Sequence, residues 1–166
     1  MKRTPPLPFE ISLSSGIVLR GLEYSNDGPS VVLVHDLAGD ADSWRDLPWL
    51  LVARGFRVIN LELRGHGLSE GDAEEGNNAN DIIEALGIIS GSFGPVGLVA
   101  LGSVATTAFV IGSDEGVPVH ILVSPLPNPH VDLGETRPAM RGIFSGTGDV
   151  ESDGLVRPVY QKVLGQ

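Results

Sequence analysis

Residues 31–39 read Val-Val-Leu-Val-His-Asp-Leu-Ala-Gly, and this stretch is the strongest indication of the fold. Its first four residues are apolar and mostly β-branched, which is typical of a strand buried on both faces of a sheet. The small and polar residues that follow are typical of a loop. Phe56–Leu61 and Val96–Leu101 are further apolar runs of the same kind. The sequence therefore predicts several strands that are buried on both faces of a sheet.

Helical patterns separate these strands. Apolar residues recur at helical spacing over 44–54, ending before Gly55, and again over Asp81–Ile89. The Gly-, Asn- and acid-rich segment 65–80 between them predicts a long loop.

Further elements flank this central part. Phe9–Leu13 and Ile17–Tyr24 predict a hairpin, and Val119–Val123 and Arg141–Phe144 predict two later strands. Helices are predicted over 104–111 and 155–164. This order predicts a single α/β domain over residues 1–166, with a mostly parallel sheet, helices on both faces and an N-terminal antiparallel hairpin.

Short motifs rich in glycine and polar residues follow four of the predicted strands. They are His35–Gly39 (HDLAG), Arg64–Ser69 (RGHGLS), Ala100–Val104 (ALGSV) and Ser145–Asp149 (SGTGD). Open α/β sheets bind ligands at the carboxyl ends of their strands. We therefore expect the functional residues in these motifs.

The order and spacing of the four motifs resemble the α/β-hydrolase superfamily, over Phe9 to about Leu164. The resemblance implies the α/β-hydrolase fold and a catalytic nucleophile, histidine and acid, with which most members cleave esters, amides, epoxides or carbon–carbon bonds. The superfamily sheet has one more strand than this sequence provides, so we expect the last strand to be missing.

The catalytic motifs depart from the superfamily pattern. In one alignment Gly102 takes the place of the nucleophilic serine of G-x-S-x-G, and a shift of one residue puts Ser103 there beside the bulky Leu101. Asp36 replaces the glycine of the His-Gly oxyanion motif, and its carboxylate would oppose a developing negative charge. The histidine that the superfamily carries after one more strand has no counterpart before Gln166.

The resemblance nevertheless implies a set of candidate site residues. Ser103 would be the nucleophile, His130 a relocated base and Asp149 the orienting acid, with the backbone N–H groups of Leu37 and Val104 as the oxyanion hole. The competing interpretation of Ser103 is a helix N-cap. His35 and His66 are expected to be structural.

Neither a cofactor nor a metal site is predicted. The acidic residues Asp72, Glu74 and Glu75 most simply form a solvated loop face, and weak binding of a hard cation together with Asp81 is the alternative.

The composition narrows the choice of partners. Eleven basic and 21 acidic residues give a net charge of −10, which disfavours nucleic acids and anionic membranes. The chain has no cysteine. Without a secretory signal or an apolar stretch that could span a membrane, a cytoplasmic location is expected.

Three functional hypotheses remain open. The protein is catalytically impaired or non-catalytic and binds a small molecule or a partner; or it is a divergent carboxylesterase-like enzyme acting through Ser103; or it is a truncated fragment without a separate function. The short segment 125–138 predicts a shallow site without a helical cap, and the edge strand Arg141–Phe144 predicts a homodimer.

Overall fold

The structure is a computed structural model that describes residues 3–25, 27–76, 78–105, 107, 119–123 and 140–144. These residues form a seven-stranded sheet in the order β1-β2-β4-β3-β5-β6-β7. The strands are β1 (Leu7–Ser12), β2 (Val18–Tyr24), β3 (Ser30–Val34), β4 (Arg57–Leu61), β5 (Val96–Leu101), β6 (Val119–Val123) and β7 (Met140–Phe144). β2 pairs antiparallel with β1 and with β4, and all other pairs are parallel. The predicted sheet and its N-terminal hairpin are confirmed.

Two helices cover opposite faces of the sheet. α1 (Leu47–Val52) packs with Trp44 against the face formed by alternate residues such as Val31 and Leu33. α2 (Asn78–Phe93) packs against the other face. The α2 core consists of Ile82, Ala85, Leu86 and Ile89, the residues whose spacing predicted the helix. Because β3 is covered on both faces, all five of its residues are buried.

The first predicted helix is shorter than its pattern suggested. A 3₁₀ helix, Ala41–Trp44, precedes α1, and the Asp40 side chain caps it by accepting from the Asp42 N–H at 2.9 Å. Arg45 then has a φ of +51°, which breaks the helical path before α1 begins at Leu47, with Pro48 in its first turn. The periodicity of apolar residues cannot predict a positive φ at a single residue between two helical turns.

The second helix is longer than predicted. α2 runs from Asn78 to Phe93, whereas the pattern indicated only Asp81–Ile89. Its last turns contain Gly87, Gly91, Ser90 and Ser92, which are poorer helix formers than alanine or leucine. Burial of its apolar face against the sheet outweighs that propensity. Gly94, at a φ of +82°, follows the end of the helix.

The described segments between these strands and helices are mostly loops. A short 3₁₀ helix, Ala73–Glu75, lies in the predicted loop over 65–80. Within the described ranges, no helix has both the length and the apolar character needed to cross a bilayer. The predicted cap-region segment 125–138 and the predicted helix over 155–164 lie outside the described residues, as does most of the predicted helix over 104–111.

Candidate active site

The sheet brings two of the four sequence motifs together. β3 and β5 are parallel neighbours, and Val34 pairs with Ala100. Asp36 and Gly102 each lie two residues beyond that pair, so their loops leave the sheet side by side at its carboxyl edge. This is the edge at which open α/β sheets bind ligands.

Gly102 occupies the strand-to-helix turn after β5. It is buried and has a φ of +65°, which favours glycine. Ser103 is the first helical residue after it, and the Ala105 N–H donates to the Gly102 carbonyl at 3.1 Å. Of the two residues that the sequence left as alternatives for this turn, Gly102 has the left-handed conformation, and Ser103 lies one residue later.

The carboxylate of Asp36 fills the space in front of Gly102. A Cβ atom added to Gly102 would lie 2.3 Å from the Asp36 Cγ and 2.5–2.6 Å from its two carboxylate oxygens. Oδ1 of this carboxylate accepts from the Leu37 N–H at 2.8 Å and from the Ser103 N–H at 2.9 Å. The Ser103 hydroxyl donates to the same oxygen at 2.5 Å. The side chain of Asp36 thus lies where a side chain of the turn residue would project.

These contacts engage one of the two predicted oxyanion donors and the N–H group next to the other. The Leu37 N–H, one of the two predicted donors, points at Asp36 Oδ1. The donor from the other loop is the Ser103 N–H, one residue before the predicted Val104, because the turn residue is Gly102. An incoming oxyanion would therefore have to displace a carboxylate that accepts from both N–H groups.

His35 is a structural residue of this site. Its ring is fully buried, and Nε2 accepts from the Leu63 N–H at 3.1 Å. Nδ1 lies 2.6 Å from the carbonyl oxygen of Asp36, so the geometry assigns the proton to Nδ1. Burial lowers the pKa of His35, since a charged ring would lose its hydration. The neutral ring ties the Asp36 loop to the end of β4.

His66 connects the same loop to the motif after β4. Its Nε2 lies 2.8 Å from the Leu37 carbonyl oxygen and its Nδ1 lies 2.8 Å from the Arg64 carbonyl oxygen. The rings of His35 and His66 are 4.9 Å apart. Both histidines thus hold the backbone around Leu37, as expected of structural residues.

A buried ion pair beneath the loop after β4 was not predicted from the sequence. The Arg64 guanidinium binds Asp81 through two hydrogen bonds of 2.7 and 2.9 Å, and Glu75 also pairs with it. Arg64 and Asp81 are each only 4% exposed. Hydrogen bonds with the carboxylates of Asp81 and Glu75 raise the pKa of the Arg64 guanidinium above its ordinary value. No short-range pattern could have revealed a contact between a loop and a helix 17 residues apart.

Three carboxylates of the alternative cation site, those of Asp72, Glu75 and Asp81, have other hydrogen-bond partners. Glu75 and Asp81 bind Arg64, and the Asp72 carboxylate accepts from the Glu74 N–H at 2.9 Å. Among the described residues, no group of three or more histidines and acids could hold a metal ion. Pairing with Arg64 engages the carboxylates of Glu75 and Asp81.

The predicted triad is only partly placed. In the described part of the chain, the carboxylate bonded to Ser103 is that of Asp36. His130 and Asp149 lie outside the described residues, so their roles as base and acid stay predictions.

Two surface cavities lie elsewhere in the described structure. One, of about 470 Å³, is lined by the N-terminal segment, Tyr24 and α1, including Trp49. The other, of about 290 Å³, lies between the hairpin and the Asp40–Asp42 loop, with Leu68 on its rim. Asp36, Gly102 and Ser103 line neither of them.

Comparisons with known proteins agree with this architecture. No family model matches the sequence. Epoxide hydrolase B of Mycobacterium tuberculosis is 35% identical over 92 residues, which is 55% of this chain and 23% of the relative. A crystal structure of an epoxide hydrolase from Vigna radiata superimposes with a TM-score of 0.64 at 24% identity, covering 76% of this chain and 43% of the other.

The chain is related to the α/β-hydrolase superfamily. An esterase from Pyrococcus furiosus has a similar fold, with a TM-score of 0.62 and 18% identity over 72% of this chain and 52% of the other. The matched part spans less than a quarter of the curated relative and about half of each solved structure. The predicted superfamily relationship and fold are therefore confirmed.

Proposed function

We propose that this α/β-hydrolase-like protein binds a small molecule at the carboxyl edge of its sheet and is impaired as a serine hydrolase. The observation that carries the proposal is the Asp36 carboxylate, which lies in front of Gly102 and accepts from the N–H groups of Leu37 and Ser103. Acyl transfer by a serine needs those N–H groups for the oxyanion of its tetrahedral intermediate.

Loss of a single oxyanion donor typically costs about 2.7–4 kcal/mol of transition-state stabilisation. Here both donors are engaged by a negative charge, which would also repel the developing oxyanion. The turn residue is a glycine and supplies no nucleophile.

We expect no more than trace hydrolysis of p-nitrophenyl acetate. The assay should compare the protein with its Ser103→Ala variant and with a heat-denatured sample as the background. Turnover above about 1 s⁻¹ that disappears in Ser103→Ala would contradict the proposed impairment.

The binding part of the proposal can be tested separately. Small neutral amides and alcohols suit a site whose fixed charge is a carboxylate, because they donate hydrogen bonds and carry no negative charge. In an NMR titration, the chemical shifts of the Leu37 and Ser103 amides should change by more than those of residues in α2. Shifts spread evenly over the protein would argue against a site at this edge.

A second function, hydrolysis through Ser103, is favoured by one contact. The Ser103 hydroxyl donates to the Asp36 carboxylate, which is the arrangement of a nucleophile with a basic partner. Labelling of Ser103 by a fluorophosphonate, lost in Asp36→Asn but kept in Asp42→Asn, would support this alternative. Asp42 is an exposed acid close in sequence and therefore serves as the control.

A further inference from the structure

The larger of the two surface cavities lies at the edge of the sheet opposite to the candidate active site. Tyr24, on its wall, ends β2 and pairs with Val58 near the start of β4. Because β2 runs antiparallel to β4, this is the amino-terminal edge of the parallel strands. Asp36 follows β3 at their carboxyl edge. The cavity is therefore separate from the candidate active site.

The walls of this cavity are mainly apolar and aromatic. The ring of Trp49, on α1, packs edge-on against the ring of Tyr24, with 4.8 Å between the ring centroids and 85° between the ring planes. Leu7 and Leu50 also line the cavity, and they are 57% and 36% exposed. Its volume of about 470 Å³ is typical of small-molecule sites. These walls suit a ligand with a flat apolar body.

Arg3 provides the charge in this cavity and is the only charged residue among the described residues that line it. Its Cζ lies 5.5 Å from the centroid of the Trp49 ring, and its Nη1 lies 2.9 Å from Oδ1 of Asp46. These two contacts orient the guanidinium, whose five N–H donors exceed what Asp46 can engage. Burial raises the pKa of the Tyr24 hydroxyl, so this group stays neutral and adds no negative charge to the wall.

We propose that this cavity binds small aromatic carboxylates, with the aromatic body against Trp49 and Leu50 and the carboxylate on the Arg3 guanidinium. Guanidinium and carboxylate groups match in charge and in geometry, because the planar N–H donors can serve both oxygens. The smaller cavity near the hairpin is unsuited to an anion, since Asp40 and Glu62 are among the residues that line it. Binding at the larger cavity is independent of the function proposed for the carboxyl edge.

The test is an NMR titration of the full isotope-labelled chain with 2-naphthoate. The chain has two tryptophans, and Trp49→Phe assigns their indole N–H signals. We expect the Trp49 signal to shift until the site is saturated. The Trp44 signal should shift much less, because Trp44 is fully buried and does not line the cavity. The alcohol 2-naphthylmethanol has the same rings without a charge and should bind more weakly.

Arg3→Gln tests the partner of the carboxylate. It should weaken binding of 2-naphthoate about fivefold, the effect of one partly exposed charged contact, and leave binding of 2-naphthylmethanol unchanged. Arg54→Gln is the matched control. It removes an exposed positive charge just after α1 that does not line the cavity, so both affinities should stay as in the unaltered chain.

Leu50→Ser tests the apolar wall. This substitution should weaken binding of 2-naphthoate and of 2-naphthylmethanol alike, because both ligands place their rings against the same surface. Leu68→Ser is the control, since Leu68 is 77% exposed and does not line this cavity. Arg3 and Leu50 are both partly exposed, so neither substitution disturbs the core.

Three results would overturn the proposal. The first is an unchanged Trp49 signal at millimolar 2-naphthoate, and the second is equal affinity of 2-naphthoate for Arg3→Gln and the unaltered chain. The third is a saturable shift of the Leu37 and Ser103 amides in place of Trp49. That third result would locate the ligand at the carboxyl edge, in support of the proposed function, so failure of this proposal is distinguishable from failure of that function.

Discussion

Gly102 shows how closely residue 36 and the turn after β5 depend on each other. A methyl group added at Gly102 would lie 2.3 Å from the Asp36 Cγ, and overpacking of this kind costs about 1–3 kcal/mol. We therefore expect Gly102→Ala to lower the free energy of unfolding by that amount beyond the cost of its positive φ. Urea denaturation measures the loss.

Gly76→Ala is the matched control for this substitution. Gly76 has a φ of +68°, close to the +65° of Gly102, but its added Cβ meets nothing within 4 Å. Gly76→Ala should therefore lower the free energy of unfolding only by the cost of placing alanine at a positive φ. Combining Gly102→Ala with Asp36→Gly should remove the additional loss, and equal effects of the two alanine substitutions would show that Asp36 does not fill this space.

His35 makes stability depend on pH. Its pKa is lowered in the folded protein, whereas the unfolded chain has the ordinary value of about 6.5. As pH falls through about 6.5, the unfolded state binds a proton that the folded state resists, so stability decreases. Below the folded-state pKa the loss levels off.

The corresponding prediction compares the protein with His35→Gln. Urea midpoints at pH 7.5 and 5.5 should fall less in the variant, because glutamine does not titrate but can still accept from the Leu63 N–H. The difference amounts to about 1.4 kcal/mol for each unit by which the pKa of His35 is lowered, once the pH is below both values. An identical pH dependence in both proteins would contradict this assignment.

At the scale of elements, the Arg64–Asp81 pair joins the loop after β4 to the first turns of α2. Both groups are buried, so removing one partner leaves a charge without compensation, which costs about 3–5 kcal/mol. We expect Asp81→Asn to approach that loss in a denaturation experiment, moderated by the remaining contact with Glu75.

Asp46→Asn provides the comparison for Asp81→Asn. It breaks the pair of Asp46 with Arg3, whose side chains are 64% and 56% exposed, and should cost less than about 1 kcal/mol. If Asp81→Asn lowered the free energy of unfolding no more than Asp46→Asn, the Arg64–Asp81 pair would not stabilise the contact between α2 and the loop.

At the scale of the whole molecule, β7 lies at one end of the described sheet. Edge strands present unpaired N–H and C=O groups, and two-fold pairing is the commonest way to satisfy them between identical chains. We propose a homodimer through this edge. Sedimentation velocity at micromolar concentration should give a mass twice that of the 17.5 kDa chain, and a single species of 17.5 kDa across a concentration series would disprove it.

The order and type of the seven described strands, and the position of α2, could be predicted from the sequence, as could the edge of the sheet at which the candidate site lies. β3, β4 and β5 were predictable because continuous apolar runs have few alternatives to burial on both faces. The α2 core followed from its spacing, although its length did not, since packing extends the helix through glycines and serines. These are properties of short stretches of chain, and the physics that fixes them is local.

Which side chain occupies the candidate site depends on contacts between distant parts of the chain. Asp36 and Ser103 are 67 residues apart, and the register between β3 and β5 brings their side chains to one point. The same register places the Asp36 carboxylate in front of Gly102. Sequence alignment had left open whether Gly102 or Ser103 occupies the turn after β5. A carboxylate can lie there because parallel pairing aligns the two strand ends and glycine leaves the space empty, and no single segment of the chain contains both conditions.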